Sequence, residues 1–214
     1  MYSMIQVKDV SLTLNKSPIL KNVSLELECG KIYGLVGNNG SGKTMLMKCI
    51  CGFIKPTVGT IIANGKVIGK DVDYLPDAGI IIETPGFIPY YSGLKNLKVL
   101  AGIKNCITTE EMRSAMEKTG LDADLKLPVK KYSLGMRQRL GLAQAIMENP
   151  SILVLDEPMN GLDKHGIAEI RQLLVNLRKE GKMILLASHM AEDIQLLCDV
   201  VYEMEDGVLA IQQC

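Results

Sequence analysis

The sequence has no excess of either charge: 24 lysines and arginines balance 24 aspartates and glutamates. A nucleic-acid-binding chain shows its footprint as a basic excess or stripe. Pairs such as Lys130-Lys131 fit an ordinary solvated surface, so nucleic acid is not the expected partner. The six cysteines (Cys29, Cys49, Cys51, Cys106, Cys198 and Cys214) lack zinc or redox spacing. Cys49 and Cys51 fall in a predicted helix, where residues two apart point to different faces. The opening MYSMIQVKDV does not read as a signal peptide, so reduced thiols in a cytosolic protein are expected. No apolar run approaches the roughly 18 residues of a membrane-spanning helix. The chain is therefore expected to be soluble, which leaves docking on a membrane partner open. Repeats and low-complexity segments are also missing. A length of 214 residues allows a sizeable core in one domain, or in one domain with a subdomain.

What is there is ordered in three stretches. In the N-terminal third, IQVKDVSLTL and NVSLELE carry apolar residues at alternate positions, and GTIIANGKVIG holds Asn64-Gly65, a strong hairpin signal. This part predicts antiparallel sheet, interrupted by KIYGLVG, a short apolar strand leading into glycines. From about Gly86 the period becomes helical. Thr108 and Glu111 fit a capping box, and Gly120 suits a helix stop. Leu140, Ala143 and Ile146/Met147 form one apolar face before Pro150. SILVLD and MILLAS then read as buried strands. Between them lies a helix with Asp163 as cap, Ile167, Ile170, Leu174 and Leu177 as inner stripe, and Gly181 as stop. DVVYEMEDGVLAIQ closes as a hairpin around Asp206-Gly207. Buried strands alternating with helices predict an α/β fold with a mainly parallel sheet.

One loop carries phosphate chemistry. Gly37-Asn38-Asn39-Gly40-Ser41-Gly42-Lys43-Thr44 matches G-x-x-x-x-G-K-[ST] between a predicted strand and a helical run, the context the motif requires. Its glycines let backbone N–H groups turn toward a phosphate, Lys43 brings a point charge to the β and γ phosphates, and Thr44 offers a hydroxyl to Mg²⁺. A nucleoside triphosphate is the expected ligand. ILVLDEP ends a second buried strand in Asp156 and Glu157, at the strand end where parallel sheets bind ligands. One carboxylate there can hold Mg²⁺ and the other can polarise an attacking water. Taken alone, Glu157 could instead start a solvated loop, the less favoured reading. LLASHM delivers Ser188 and His189 to the same edge, where a γ-phosphate contact suits the histidine. His165, at a helix start, is read as surface.

YSLGMRQR is a further candidate anion site, because a serine and a glycine open a helix whose free N–H groups favour negative charge. Together these motifs resemble the nucleotide-binding subunit of ABC transporters over almost the whole chain, in the branch similar to bacitracin and lantibiotic-immunity exporters. The resemblance implies a P-loop NTPase core in residues 1–85 and 149–214, with an antiparallel β subdomain and an inserted helical subdomain in 86–148. It identifies residues 37–44 as Walker A, Asp156 and Glu157 as the end of Walker B, Asn160, Gly161, Leu162 and Asp163 as the D-loop, and His189 as the switch histidine. Tyr132, Ser133, Leu134, Gly135 and Met136 stand at the signature, which binds the ATP of a partner subunit. Leu134 replaces the signature's first glycine and Met136 its glutamine. Glu83 stands where the family places a glutamine bound to Mg²⁺ or the lytic water, and Leu14 aligns with an adenine-stacking aromatic.

The resemblance further implies ATP and Mg²⁺ as cofactors, catalysis by Glu157, His189 and Lys43, and dimerisation with an identical or related ATPase. The partners would be separate membrane subunits at the inner face of the cell membrane. A soluble ABC-type ATPase that remodels a protein assembly is the alternative reading. A P-loop kinase fits less well, since a hydrolytic Glu157 and a signature serve no purpose in one.

Overall fold

The computed structural model describes residues 4–212; residues 1–3 and 213–214, Cys214 among them, lie outside this range. Two sheets and a helical layer carry the chain. The smaller sheet has the order β2-β1-β4-β5 and is antiparallel, built from β1 (Met4–Leu14), β2 (Ser17–Glu28), β4 (Val58–Ala63) and β5 (Lys66–Val67). Ile5 and Val7 alternate inward along β1, and then the inward set slips to Val10 and Leu12. A register shift between Val7 and Val10 causes the slip, with Asp9 at φ 50° adding the extra residue of a bulge. Ala63 faces Lys66 across the Asn64-Gly65 turn, as the sequence predicts.

The larger sheet has six strands in the order β10-β9-β3-β8-β7-β6. It contains β3 (Ile32–Val36), β6 (Ala78–Ile81), β7 (Ile152–Asp156), β8 (Met183–Ala187), β9 (Val200–Glu205) and β10 (Val208–Gln212). All its pairings are parallel except the β9–β10 hairpin. β3, β7 and β8 are buried on both faces, which explains why their sequences are continuous apolar runs rather than alternating ones. The architecture is the predicted α/β one. Strand β6 was not anticipated. Its four residues show no alternation, and only pairing with β7 defines them.

The phosphate motif runs directly into α1 (Lys43–Ile50), and α5 (Lys164–Lys179) and α6 (Ala191–Leu197) complete the core. Asp163 caps α5 by accepting from Gly166 N–H. In the central segment α2 (Gly93–Lys104), α3 (Thr109–Lys118) and α4 (Leu134–Ile146) share a separate apolar cluster around Leu97, Met116, Leu140 and Ala143. The Thr108–Glu111 capping box forms as expected. Strand order fixes the site. β3, β7 and β8 are adjacent and parallel, so the chain leaves all three at one edge, carrying residues 37–44, 156–157 and 188–189 together.

Candidate nucleotide site

The loop after β3 depends on glycine. Gly37 has φ 141° and Gly42 φ 114°, conformations that L side chains rarely adopt, and a β-carbon on Gly37 would collide with Met204 O. Gly42 caps α1 without a side-chain bond, so the N–H groups of the helix start remain available to an anion. Lys43 Nζ donates to Gly37 O at 2.7 Å and to Asn38 O at 3.0 Å, which holds the ammonium over the loop. Among the described residues the buried Ser41 hydroxyl has no hydrogen-bond partner. A buried unpaired hydroxyl is costly, and a phosphate oxygen would relieve it.

The carboxylates stand opposite. Thr44 Oγ1 donates to Asp156 Oδ2 at 2.8 Å across 112 residues of sequence. Glu157 Oε2 lies 2.6 Å from His189 Nδ1. The Glu157 backbone adopts φ 51°, a left-handed conformation that costs a non-glycine residue roughly 1–2 kcal/mol. That conformation is held by its N–H donating to Ala187 O at 2.9 Å and by its carbonyl accepting from Asn160 N–H at 3.1 Å. Glu83 lines the same cleft as Asp156 and Glu157, a space of about 200 Å³. Its carboxylate is engaged by Lys48 Nζ at 2.6 Å, so the charge that replaces a neutral glutamine is balanced from α1.

The signature residues sit at the start of α4. Ser133 caps the helix by accepting from Met136 N–H and is exposed. Tyr132 turns inward: it is buried, its hydroxyl accepts from Gly93 N–H at 3.1 Å, and burial pushes its pKa up. Its side chain therefore serves the helical core. Leu134 leans on the D-loop, where a β-carbon built on Gly161 would stand 2.5 Å from Leu134 Cγ and Cδ2. Gly135 approaches the same segment, its own β-carbon position being 2.9 Å from Gly161 O. The clefts lined by Gly37, Asn38 and Asn39 include His189 and the β9–β10 turn but none of residues 132–136. Leu134 instead lines the cleft of Asp156 and Glu157, so the phosphate loop and residues 132–136 share none of these clefts.

A family model described as ABC transporter matches residues 20–160. The chain belongs to the ABC transporter family. It is an ATP-binding and ATP-hydrolysing subunit of that family. It is 42% identical over 206 residues to an uncharacterized ABC transporter ATP-binding protein of Bacillus subtilis, YybJ, covering 96% of this chain and 94% of that one. The bacitracin transport ATP-binding protein BcrA of Enterococcus faecalis is 39% identical over 207 residues, 96% of this chain and 67% of its own. Among solved structures, an ATP-binding subunit of an ABC transporter superposes with a TM-score of 0.88 at 25% identity, covering 98% of this chain and 90% of that chain. The dimeric ATP-binding cassette MJ0796 bound to ADP and Pi shares the fold, with a TM-score of 0.89 at 22% identity and 98% of each chain covered.

Two features of this ABC ATPase escape sequence reasoning. The loop carrying His189 is held by a buried network: Ser188 Oγ donates to Asp193 Oδ2 at 2.8 Å and accepts from Met190 N–H at 3.1 Å. Arg171, on α5, pairs with the fully buried Asp193 at 2.6 Å. An aspartate four residues past a histidine gives no warning of this role. Gln138, buried one turn into α4, donates to Glu157 O at 3.1 Å. The only sequence hint is a polar residue two positions before the apolar run that starts at Leu140.

Proposed function

We propose that this chain pairs head to tail with an identical or related ATPase subunit, each ATP lying between one subunit's residues 37–44 and the other's Ser133–Met136. The separation of phosphate loop and signature within one chain supports this reading, since each half-site lacks the other. The observation that carries the hydrolytic assignment is the 2.6 Å contact of Glu157 with His189, beside the 2.8 Å contact of Thr44 with Asp156.

In this mechanism Lys43 and the loop N–H groups hold the β and γ phosphates. Glu157 takes a proton from the attacking water as the water oxygen bonds to the γ-phosphorus. The bond from phosphorus to the β–γ bridging oxygen breaks, and its electron pair leaves with ADP. His189 orients Glu157 through its Nδ1 contact and lies against the γ-phosphate. The Thr44 hydroxyl and the Asp156 carboxylate suit Mg²⁺, a hard cation that takes few protein oxygens and completes its shell with phosphate and water; Glu83, in the same cleft, would bring a third oxygen on leaving Lys48. When bound, that ion would offset charge on the phosphate oxygens.

Residues 1–85 and 149–214 form the nucleotide-binding core and 86–148 the helical subdomain facing separate membrane subunits. Exposed Ile88, Tyr90 and Ile103 support a docking role for that segment. No helix among the described residues is long and apolar enough to cross a membrane, which fits a peripheral subunit at the cytoplasmic face. Relatives named for bacitracin and lantibiotic transport support an exporter of antibiotic peptides. The decisive experiment is Glu157→Gln with saturating ATP and Mg²⁺, read by size-exclusion chromatography and phosphate release. An ATP-bound dimer without turnover is expected. A monomer would reject the paired arrangement, and co-purification with no polytopic membrane protein would reject the transport role.

A further inference from the structure

We infer that Gln138 is a positioning residue that fastens the signature helix to Glu157, so that one subunit's hold on its partner's nucleotide reaches the general base of its own site. The inference deepens the proposed function and rests on it.

Gln138 lies four residues after Leu134, on the same face of α4, and both line the cleft that holds Asp156 and Glu157. It is 8% exposed, and its Nε2 donates to Glu157 O at 3.1 Å. The same carbonyl oxygen accepts from Asn160 N–H at 3.1 Å. One acceptor therefore joins the signature helix, the D-loop and the residue whose side chain contacts His189. Because Glu157 is held at φ 51°, its carboxylate direction depends on these backbone bonds rather than on a relaxed local minimum.

The rest of that face moves with Gln138. Leu134 and Gly135 rest on Gly161, and Arg139 pairs with Glu169 of α5 at 2.7 Å. A helix is stiff over one turn, so a displacement at Ser133–Met136, where the partner's ATP would bind, carries Gln138 along. Leaving the buried Gln138 amide without its acceptor is unfavourable. The Glu157 backbone follows the helix, and the carboxylate is reset against His189.

The test uses the full chain. Gln138→Met keeps length and bulk but has no donor, and Gln138→Ala serves as a second variant. ATPase rate against ATP concentration, binding of a fluorescent ATP analogue, and melting temperature are measured for both. kcat is expected to fall about 10- to 100-fold, the scale for a misplaced catalytic group. Analogue affinity and melting temperature should stay close to wild type for Gln138→Met; the wild-type enzyme is expected to show a Hill coefficient above one, and Gln138→Met a coefficient of one. A Gln138→Met enzyme with wild-type kcat and Hill coefficient overturns the inference, as does a wild-type coefficient of one. So does a loss of kcat that merely tracks lower affinity and melting temperature. Glu157→Gln separates this from the underlying reading: if that variant hydrolyses ATP normally, the assignment of the base fails. If it is inactive while Gln138→Met is unchanged, only the coupling fails.

Discussion

Glu157 Oε2 and His189 Nδ1 meet at 2.6 Å although 32 residues separate them in the chain. The contact exists because β7 and β8 are neighbouring parallel strands, with Asp156 in register with Ala187. The next residues of each strand leave the sheet side by side.

This contact gives the first prediction. His189→Ala is expected to lower kcat by about 10²-fold, the lower end of the range for losing general acid–base assistance, with ATP affinity nearly unchanged. Rapid-quench turnover and equilibrium binding would check it. A tenfold loss of affinity with normal turnover would place His189 in ground-state binding instead.

Leu134 and Gly161 should behave as a coupled pair. Gly161→Ala places a side chain at φ 77°, costing ~1–2 kcal/mol, and drives it into Leu134, costing ~1–3 kcal/mol more. In a Leu134→Gly background only the first cost remains. Urea unfolding of both single variants and the double variant would measure the coupling, and additive effects would contradict the contact.

Leu14 is 37% exposed and pairs with Ser17 at the β1–β2 turn, so a larger ring there meets no packing barrier. Leu14→Tyr is expected to tighten ATP binding by ~1–3 kcal/mol, the value of a base stacked on an aromatic. Calorimetric titration decides it. An unchanged or weaker Kd would separate this position from the base.

The thiols predict an alkaline weakness. Burial pushes Cys49 up to about 11 and Cys51 up to about 12, whereas an unfolded thiol titrates near ~8.5. The folded state therefore holds these protons longer, so stability is intact below pH ~8.5 and falls as pH rises, by up to ~1.4 kcal/mol per unit for each thiol. Denaturation midpoints from pH 8 to 10 should show the decline, and the Cys49→Ala/Cys51→Ala variant should lose it. Exposed Cys106 should react with a thiol reagent in the folded protein while these two do not.

The candidate site was unevenly legible. Residues 37–44 are contiguous and their chemistry needs that order, so the motif states its purpose in eight letters. Asp156 and His189 could be placed because a buried apolar run ending in a polar residue marks the edge of a parallel sheet. Tyr132 reads as part of the signature, yet its side chain is buried in the helical subdomain, where its hydroxyl accepts from Gly93 N–H. The pairing of Glu83 with Lys48 and of Asp193 with Arg171 had no local signal. Each joins residues on different elements whose approach depends on packing.

By itself the sequence determined what is local: the strand and helix periods, the caps at Thr108 and Asp163, the glycines that bend residues 37–42, and the residue types available to phosphate. Tertiary structure alone decided which of them touch. Hydrogen-bonded register between β7 and β8 sets the Glu157–His189 contact. The packing of α4 on the D-loop seats Leu134 on Gly161 and brings Gln138 to the Glu157 carbonyl. Such contacts depend on chain segments remote in sequence, and burial and pairing geometry, not neighbouring residues, fix their distances.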